Sequence, residues 1–242
     1  MRRKISSGLA LLALTGCSAS ASTNQAVPPR RTPAVAQPVR APVVMILGDS
    51  YTAGIRGVPP ESTYAGDTAR KLGWQAIIAG HGGTGFVARG AIRRNFGQLF
   101  TEQLSWRPAP DMVLIVGGHN DAVLRQPLPS LAENATKLIT AIRTRWPGVP
   151  LVLVGPIWGG DPPAKALQVR DALALAAAGQ QVPFIDPLRE MWFTGSRGRG
   201  TGNADLYIRR DRVHPNPAGN AYLADRLIMS LKPLGLEKPG QK

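Results

Sequence analysis

A chain of 242 residues, 43% of them hydrophobic, has enough apolar sequence for one sizeable core and is short for two, so one domain with appendages is expected. Its 29 basic and 15 acidic residues give a formal charge of +14, but the cations are scattered singly and in pairs such as Arg93-Arg94 and Arg209-Arg210. That scatter lacks the basic helix face and interleaved aromatics that read nucleic acid, which excludes a nucleic-acid partner, and a single cysteine, Cys17, excludes an intrachain disulfide.

The chain opens with Met1-Arg2-Arg3-Lys4, an apolar run over residues 5–14, and Leu14-Thr15-Gly16-Cys17, which are the basic, apolar and small-residue regions of a secretion signal. The run is shorter than the ~20 apolar residues that span a bilayer, so residues 1–16 are expected to be removed on export. The Leu-Thr-Gly-Cys tetrad resembles a bacterial lipobox, which implies that Cys17 is the lipidated first residue of an extracytoplasmic, membrane-anchored lipoprotein. Losing Arg2, Arg3 and Lys4 leaves 26 basic against 15 acidic residues, a balance suited to anionic headgroups or acidic wall polymers, or simply a solvated basic surface. Residues 17–42 are rich in Ala, Ser, Thr and Pro without apolar periodicity and read as a semi-stiff tether.

Order is expected over residues 43–236, with a short tail over residues 237–242. Short, continuous apolar runs at residues 43–47, 75–79, 112–116, 151–154 and, more weakly, 183–185 predict five buried strands. Between them, residues 63–72, 92–104, 128–145 and 165–178 predict helices, and a last helix over residues 217–231 closes the domain. The third is the clearest, with Leu131, Ala135, Leu138, Ile139 and Ile142 at helical spacing and Trp146-Pro147-Gly148 as its stop. The alternation implies right-handed crossovers and a three-layer α/β/α domain around a five-stranded, doubly wound parallel sheet of flavodoxin-like type.

Such sheets bind ligands beyond the carboxyl ends of their strands, so the segments that follow each strand matter most. Gly48-Asp49-Ser50 follows the first, Gly80-His81-Gly82-Gly83-Thr84 the second, and Gly117-Gly118-His119-Asn120-Asp121 the third; Asp211-Arg212-Val213-His214-Pro215 precedes the last helix. A serine hydroxyl is a poor nucleophile unless a histidine takes its proton and a carboxylate fixes that histidine's tautomer. Ser50, His214 and Asp211 are the residue types this chemistry needs. Attack on an ester builds charge on the carbonyl oxygen; a glycine N–H, the Asn120 amide and the Ser50 N–H are suitable donors.

These four segments resemble the blocks of the SGNH, or GDSL-like, hydrolase family. The resemblance spans residue 43 to the last helix, with the blocks in family order, and implies a serine esterase or acyl-transferring enzyme that needs no cofactor and no metal. Matched residue by residue, it implies Ser50 as nucleophile, Asp211 and His214 as its partners, and Ser50, Gly83 and Asn120 as the oxyanion hole, with Gly80 and Gly82 also open for the second block. His81, His119 and Trp158 are candidates for the substrate pocket, and the Gly/Arg-rich segment 195–203, with Arg197 and Arg199, for an anionic clamp; each also reads as ordinary loop packing.

Competing chemistries lack their motifs. No Gly-x-Ser-x-Gly elbow or P-loop occurs, and three histidines without paired Asp-x-His spacing make a poor dinuclear metal site. A non-catalytic envelope-binding domain on the same fold is the alternative, against which the joint presence of Ser50 and His214 stands. An exported, tethered enzyme points to an ester-bearing envelope glycan or lipid as substrate, with the membrane reached through Cys17.

Overall fold

The computed structural model describes residues 40–240; the signal segment, Cys17, the tether as far as residue 39 and the last two residues of the tail lie outside the described residues. Five strands, β1 (Val43–Gly48), β2 (Gln75–Gly80), β3 (Met112–Val116), β4 (Leu151–Val154) and β5 (Phe184–Ile185), form one sheet in the order β2-β1-β3-β4-β5. Every pairing is parallel. The order reverses between β1 and β3, and there the crossovers leave toward opposite faces and open a crevice at the carboxyl edge.

Strand alternation divides the apolar side chains between two cores. Met45 and Leu47 of β1, Val113 and Ile115 of β3 and Leu153 of β4 face α5 (Leu128–Arg145), which presents Leu131, Leu138, Ile139 and Ile142, and α6 (Ala164–Gly179). Val44, Ile46, Met112, Leu114 and Val152 face α2 (Tyr64–Leu72) and α8 (Pro217–Leu231) on the other side. The chain is thus an α/β domain with a buried five-stranded parallel sheet between helical layers.

Four of the five expected helices form close to their expected bounds, and the helix expected over residues 92–104 does not. Arg93 sits in the left-handed region at φ 58°, and the helix starts only at α3 (Phe96–Leu99), where the Asn95 and Gln98 side chains and backbones cap one another, before widening into a π turn at Phe100–Leu104. Three short helices had no periodicity to announce them: α1 (Ser50–Ala53), α4 (His119–Val123) and α7 (Ala204–Tyr207). At the N-terminal side Arg40 pairs with Asp111, which also accepts the Val43 N–H at 2.7 Å, and at the other end Trp74 Nε1 donates to Glu237 O at 2.7 Å.

The tops of β1 and β2 meet at the pair Gly48 and Gly80. A Cβ on Gly80, which has φ +132°, would lie 1.8 Å from Gly48 O, whereas one on Gly73, at φ +68°, would meet nothing within 4 Å. Gly73→Ala is therefore expected to cost only the left-handed backbone strain, about 1–2 kcal/mol. Gly80→Ala adds a backbone clash and is expected to exceed about 3 kcal/mol, read as the shift in urea unfolding.

Candidate active site

Ser50 is the first residue of α1, and Asp49 caps that helix by accepting the Tyr51 N–H at 3.0 Å. His214 is delivered by a turn over residues 208–215, closed by the Ile208 and Pro215 bridge and by the Arg209 N–H on His214 O at 2.8 Å. Immediately afterwards Asn216 caps α8, with Pro217 at its first position, so the chain direction after His214 is fixed by a helix start.

The three residues form a line of hydrogen bonds. Ser50 Oγ lies 2.9 Å from His214 Nε2, and His214 Nδ1 lies 2.9 Å from Asp211 Oδ2. Asp211 Oδ1 also accepts the Val213 and His214 N–H groups, each at 3.0 Å. Partial burial pushes the Asp211 carboxyl up, but those two N–H bonds and the His214 ring outweigh it and hold the group below the usual carboxylate range. An ionised Asp211 accepts the Nδ1 proton, which leaves the Nε2 lone pair for the Ser50 hydroxyl.

On the other side of Ser50 stand the two glycines and Asn120. The structure places Gly82, rather than Gly83, against the serine: a Cβ built on Gly82 would lie 3.6 Å from Ser50 Cβ, whereas one on Gly83 would face Gly90. The backbone N–H groups of Ser50, Gly82 and Gly83 have no protein acceptor among the described residues. Asn120 Nδ2 donates to Thr84 O at 2.9 Å and, more weakly, to Asp49 Oδ2 at 3.3 Å. Gly80 belongs to the β2 end and packs on Gly48.

An aromatic row borders the serine. Tyr51 lies between His214 and His119, with ring centroids 5.8 and 5.4 Å away, and Trp158 packs at 4.4 Å on the far face of His119. His119 is buried, with Nδ1 3.1 Å from Ile157 O, and burial pushes its pKa down to about 4, with His214 adding to the effect. The ring is therefore neutral at pH 7 and its Nδ1–H donates to Ile157 O. Exposed His81 instead turns its ring onto Gly82 O of its own loop. A narrow crevice beside Ser50 is lined by Ile55, Val58 and Pro215 among others.

Three positioning residues had no individual signal in the sequence. Tyr51 donates its hydroxyl to Val213 O at 2.5 Å, pinning the turn that carries His214. Buried Asp121 accepts the N–H groups of Phe86, Val87 and Ala88 at 3.0, 2.8 and 2.8 Å, folding the loop after Gly82 and Gly83 into place. A Cβ on Gly85 would lie 2.3 Å from Asp121 Oδ2, so the loop passes the carboxylate only as glycine. Buried Asp49 has fewer donors, and burial pushes its carboxyl up to about 7 against the bond from Tyr51.

Comparison with known proteins agrees with this architecture. Residues 46–222 match the sequence profile of the GDSL-like lipase/acylhydrolase family, which covers all of these segments. The chain is 30% identical over 204 residues to a GDSL lipase of Mycobacterium tuberculosis, spanning 79% of this chain and 83% of the relative. Its fold is similar to that of the carbohydrate acetylesterase Est24 from Sinorhizobium meliloti, with a TM-score of 0.59 and 18% identity over 80% of this chain and 99% of the other. It is likewise similar to the aryl esterase of M. smegmatis, with a TM-score of 0.57 and 19% identity over 80% and 100% of the two chains. The chain belongs to the GDSL-like lipase/acylhydrolase family, the SGNH hydrolases, and is a carboxylic ester hydrolase.

Proposed function

We propose that the chain hydrolyses short-chain esters of cell-envelope glycans or lipids through an acyl-Ser50 intermediate. The observation that carries this reading is the line of hydrogen bonds from Ser50 through His214 to Asp211. Ser50 Oγ attacks the ester carbonyl carbon as His214 Nε2 takes its proton, while Asp211 orients the ring and stabilises the imidazolium. The oxyanion is met by the N–H groups of Ser50 and Gly82 and by the Asn120 proton held only by the long bond to Asp49. Collapse breaks the bond to the alcohol, which leaves with the proton from His214. Water then attacks the acyl-enzyme by the same route and releases the carboxylic acid and free Ser50. A second alcohol in place of water gives acyl transfer from the same intermediate.

The crevice beside Ser50 is narrow and lined by Ile55, Val58 and Pro215, which supports a short, apolar acyl group. The Trp158 and His119 wall, neutral at pH 7, supports an uncharged ester at the reacting centre. The envelope as location rests on the signal and lipobox at Cys17, and the carbohydrate acetylesterase among proteins of similar fold agrees with a glycan ester.

Ser50→Ala and His214→Ala are each expected to lower kcat/KM on 4-nitrophenyl acetate by about ten-thousandfold or more. Asp211→Ala, which removes only orientation and stabilisation, is expected to cost between about a hundredfold and ten-thousandfold; wild-type rates in all three variants would move the site elsewhere. For the anchor, Cys17→Ala is expected to shift the protein from the membrane fraction to the soluble fraction at unchanged ester turnover.

The neutral wall also has a pH signature. A histidine lowered from 6.5 to about 4 contributes stability above pH 6.5 that is lost as the pH falls through 4. Asp49, raised from 3.8 to about 7, takes up its proton on folding and contributes with the opposite sign over the same window, so the two offset one another in the wild type. His119→Gln keeps an N–H for Ile157 O and removes the titration. Between pH 6.5 and 4 the wild type is expected to lose about 3 kcal/mol of unfolding free energy relative to this variant, measured by urea unfolding across the range.

A further inference from the structure

The turn that presents Asp211 and His214 also carries arginines that ester cleavage does not use. Arg197, Arg209 and Arg210 line one open groove of about 400 Å³ together with Ile208, Asn216 and Asp211 itself. Its third cation comes from the Gly/Arg-rich segment before α7. Arg197 is anchored there, its Nη1 donating to Ile208 O at 2.5 Å and Asp205 O at 3.2 Å. The Arg209 and Arg210 side chains make no ion pair among the described residues.

Two nearby carboxylates, Asp205 and Asp211, offset these cations only in part, and neither forms an ion pair with Arg209 or Arg210. Asp205 turns one carboxylate oxygen to the Gly198 N–H at 2.5 Å and the other to the Gly200 N–H at 2.9 Å, and those bonds hold its carboxyl below the usual range. Asp211 is engaged by Val213 and by the His214 backbone and ring. Three arginines therefore line this groove against one ionised carboxylate, Asp211, which leaves an excess of positive charge beside the triad, on the opposite side of His214 from Ser50. Guanidinium forks match the paired oxygens of phosphate and carboxylate, so the groove offers recognition as well as attraction.

We propose that this groove binds an anionic group, phosphate or carboxylate, carried by the alcohol part of the ester, so that the preferred substrates are short acyl esters of anionic carriers. The inference rests on the reading of Ser50 as nucleophile. The full-length protein is assayed on two matched pairs: dibutyryl phosphatidylglycerol below its micellar concentration against tributyrin, and O-acetylated oligogalacturonate against O-acetylated xylo-oligosaccharide.

The expected result is a kcat/KM at least about tenfold higher for an anionic member than for its neutral counterpart, with the responding pair telling phosphate from carboxylate. In the Arg209→Ala/Arg210→Ala double variant that ratio is expected to fall to within about twofold of one, and in the wild type to shrink as NaCl is raised. Equal rates on both members of both pairs in the wild type, or a preference that survives in the double variant, would overturn the proposal. The thermal unfolding midpoint confirms that the variant is folded, and Arg209→Gln/Arg210→Gln substitutes for it if it is not. If no ester is turned over, 4-nitrophenyl acetate included, the Ser50 reading fails instead. Calorimetric titration of the Ser50→Ala protein with the same four esters then decides the groove: selective binding of an anionic member supports it and no selectivity overturns it.

Discussion

The site depends on the register of β1 against β3. Gly48 pairs with Val116, so both strands end at the same level, and the segments that leave them meet where Asn120 reaches Asp49. Side chains alternate faces along a strand, and Val44 and Ile46 belong to one core while Met45 and Leu47 belong to the other. A slip of one residue would exchange these sets between cores of different shape and carry Ser50 about 3.3 Å along the strand axis, beyond hydrogen-bond reach of His214. Packing against helices on both faces therefore does the positioning that catalysis requires.

Two buried carboxyls at this edge solve the same problem differently. Asp121 receives three backbone N–H groups, which offset much of what burial costs an anion, and in return it shapes the loop that holds Gly82 beside the nucleophile. Asp49 has one backbone N–H and a long bond from Asn120, and the neighbouring charge of Asp121 adds to the effect of burial on it. Burial therefore carries its pKa up to about 7, with too few donors to offset it. The Asn120 amide is thus tethered firmly to Thr84 and loosely to Asp49, an arrangement that orients it while leaving one proton exchangeable for a stronger acceptor.

Local signals were legible where the chain states them locally. Continuous apolar runs marked the five strands, and apolar spacing marked α5 to its ends. Ile92, Phe96, Leu99 and Leu104 also stand near helical spacing, but the Asn95 and Gln98 cap decides where the helix begins, and that pair competes with periodicity when a helix is short. Ser50, Asn120, Asp211 and His214 could be read because each follows a strand or precedes a helix within a few residues. The choice among Gly80, Gly82 and Gly83 could not, since a glycine-rich loop has no periodicity and its path is set by Asp121, more than thirty positions downstream. Tyr51 holds Val213 across 162 positions, a contact that exists only once the domain has closed.

Charge shows the same difference between counting and placing. Scattered cations in the sequence argue against a nucleic-acid reading, but scatter along the chain does not say where the fold gathers them, and it brings three arginines to one groove. A groove lined by three arginines and one carboxylate suits a single anionic group. Because Arg209 and Arg210 share the turn of residues 208–215 with Asp211 and His214, any movement of that turn displaces the anion groove and the proton acceptor of Ser50 together. Binding at the groove and orientation of the imidazole are therefore mechanically joined, and the Tyr51 hydroxyl on Val213 O is the tie that holds both to the sheet.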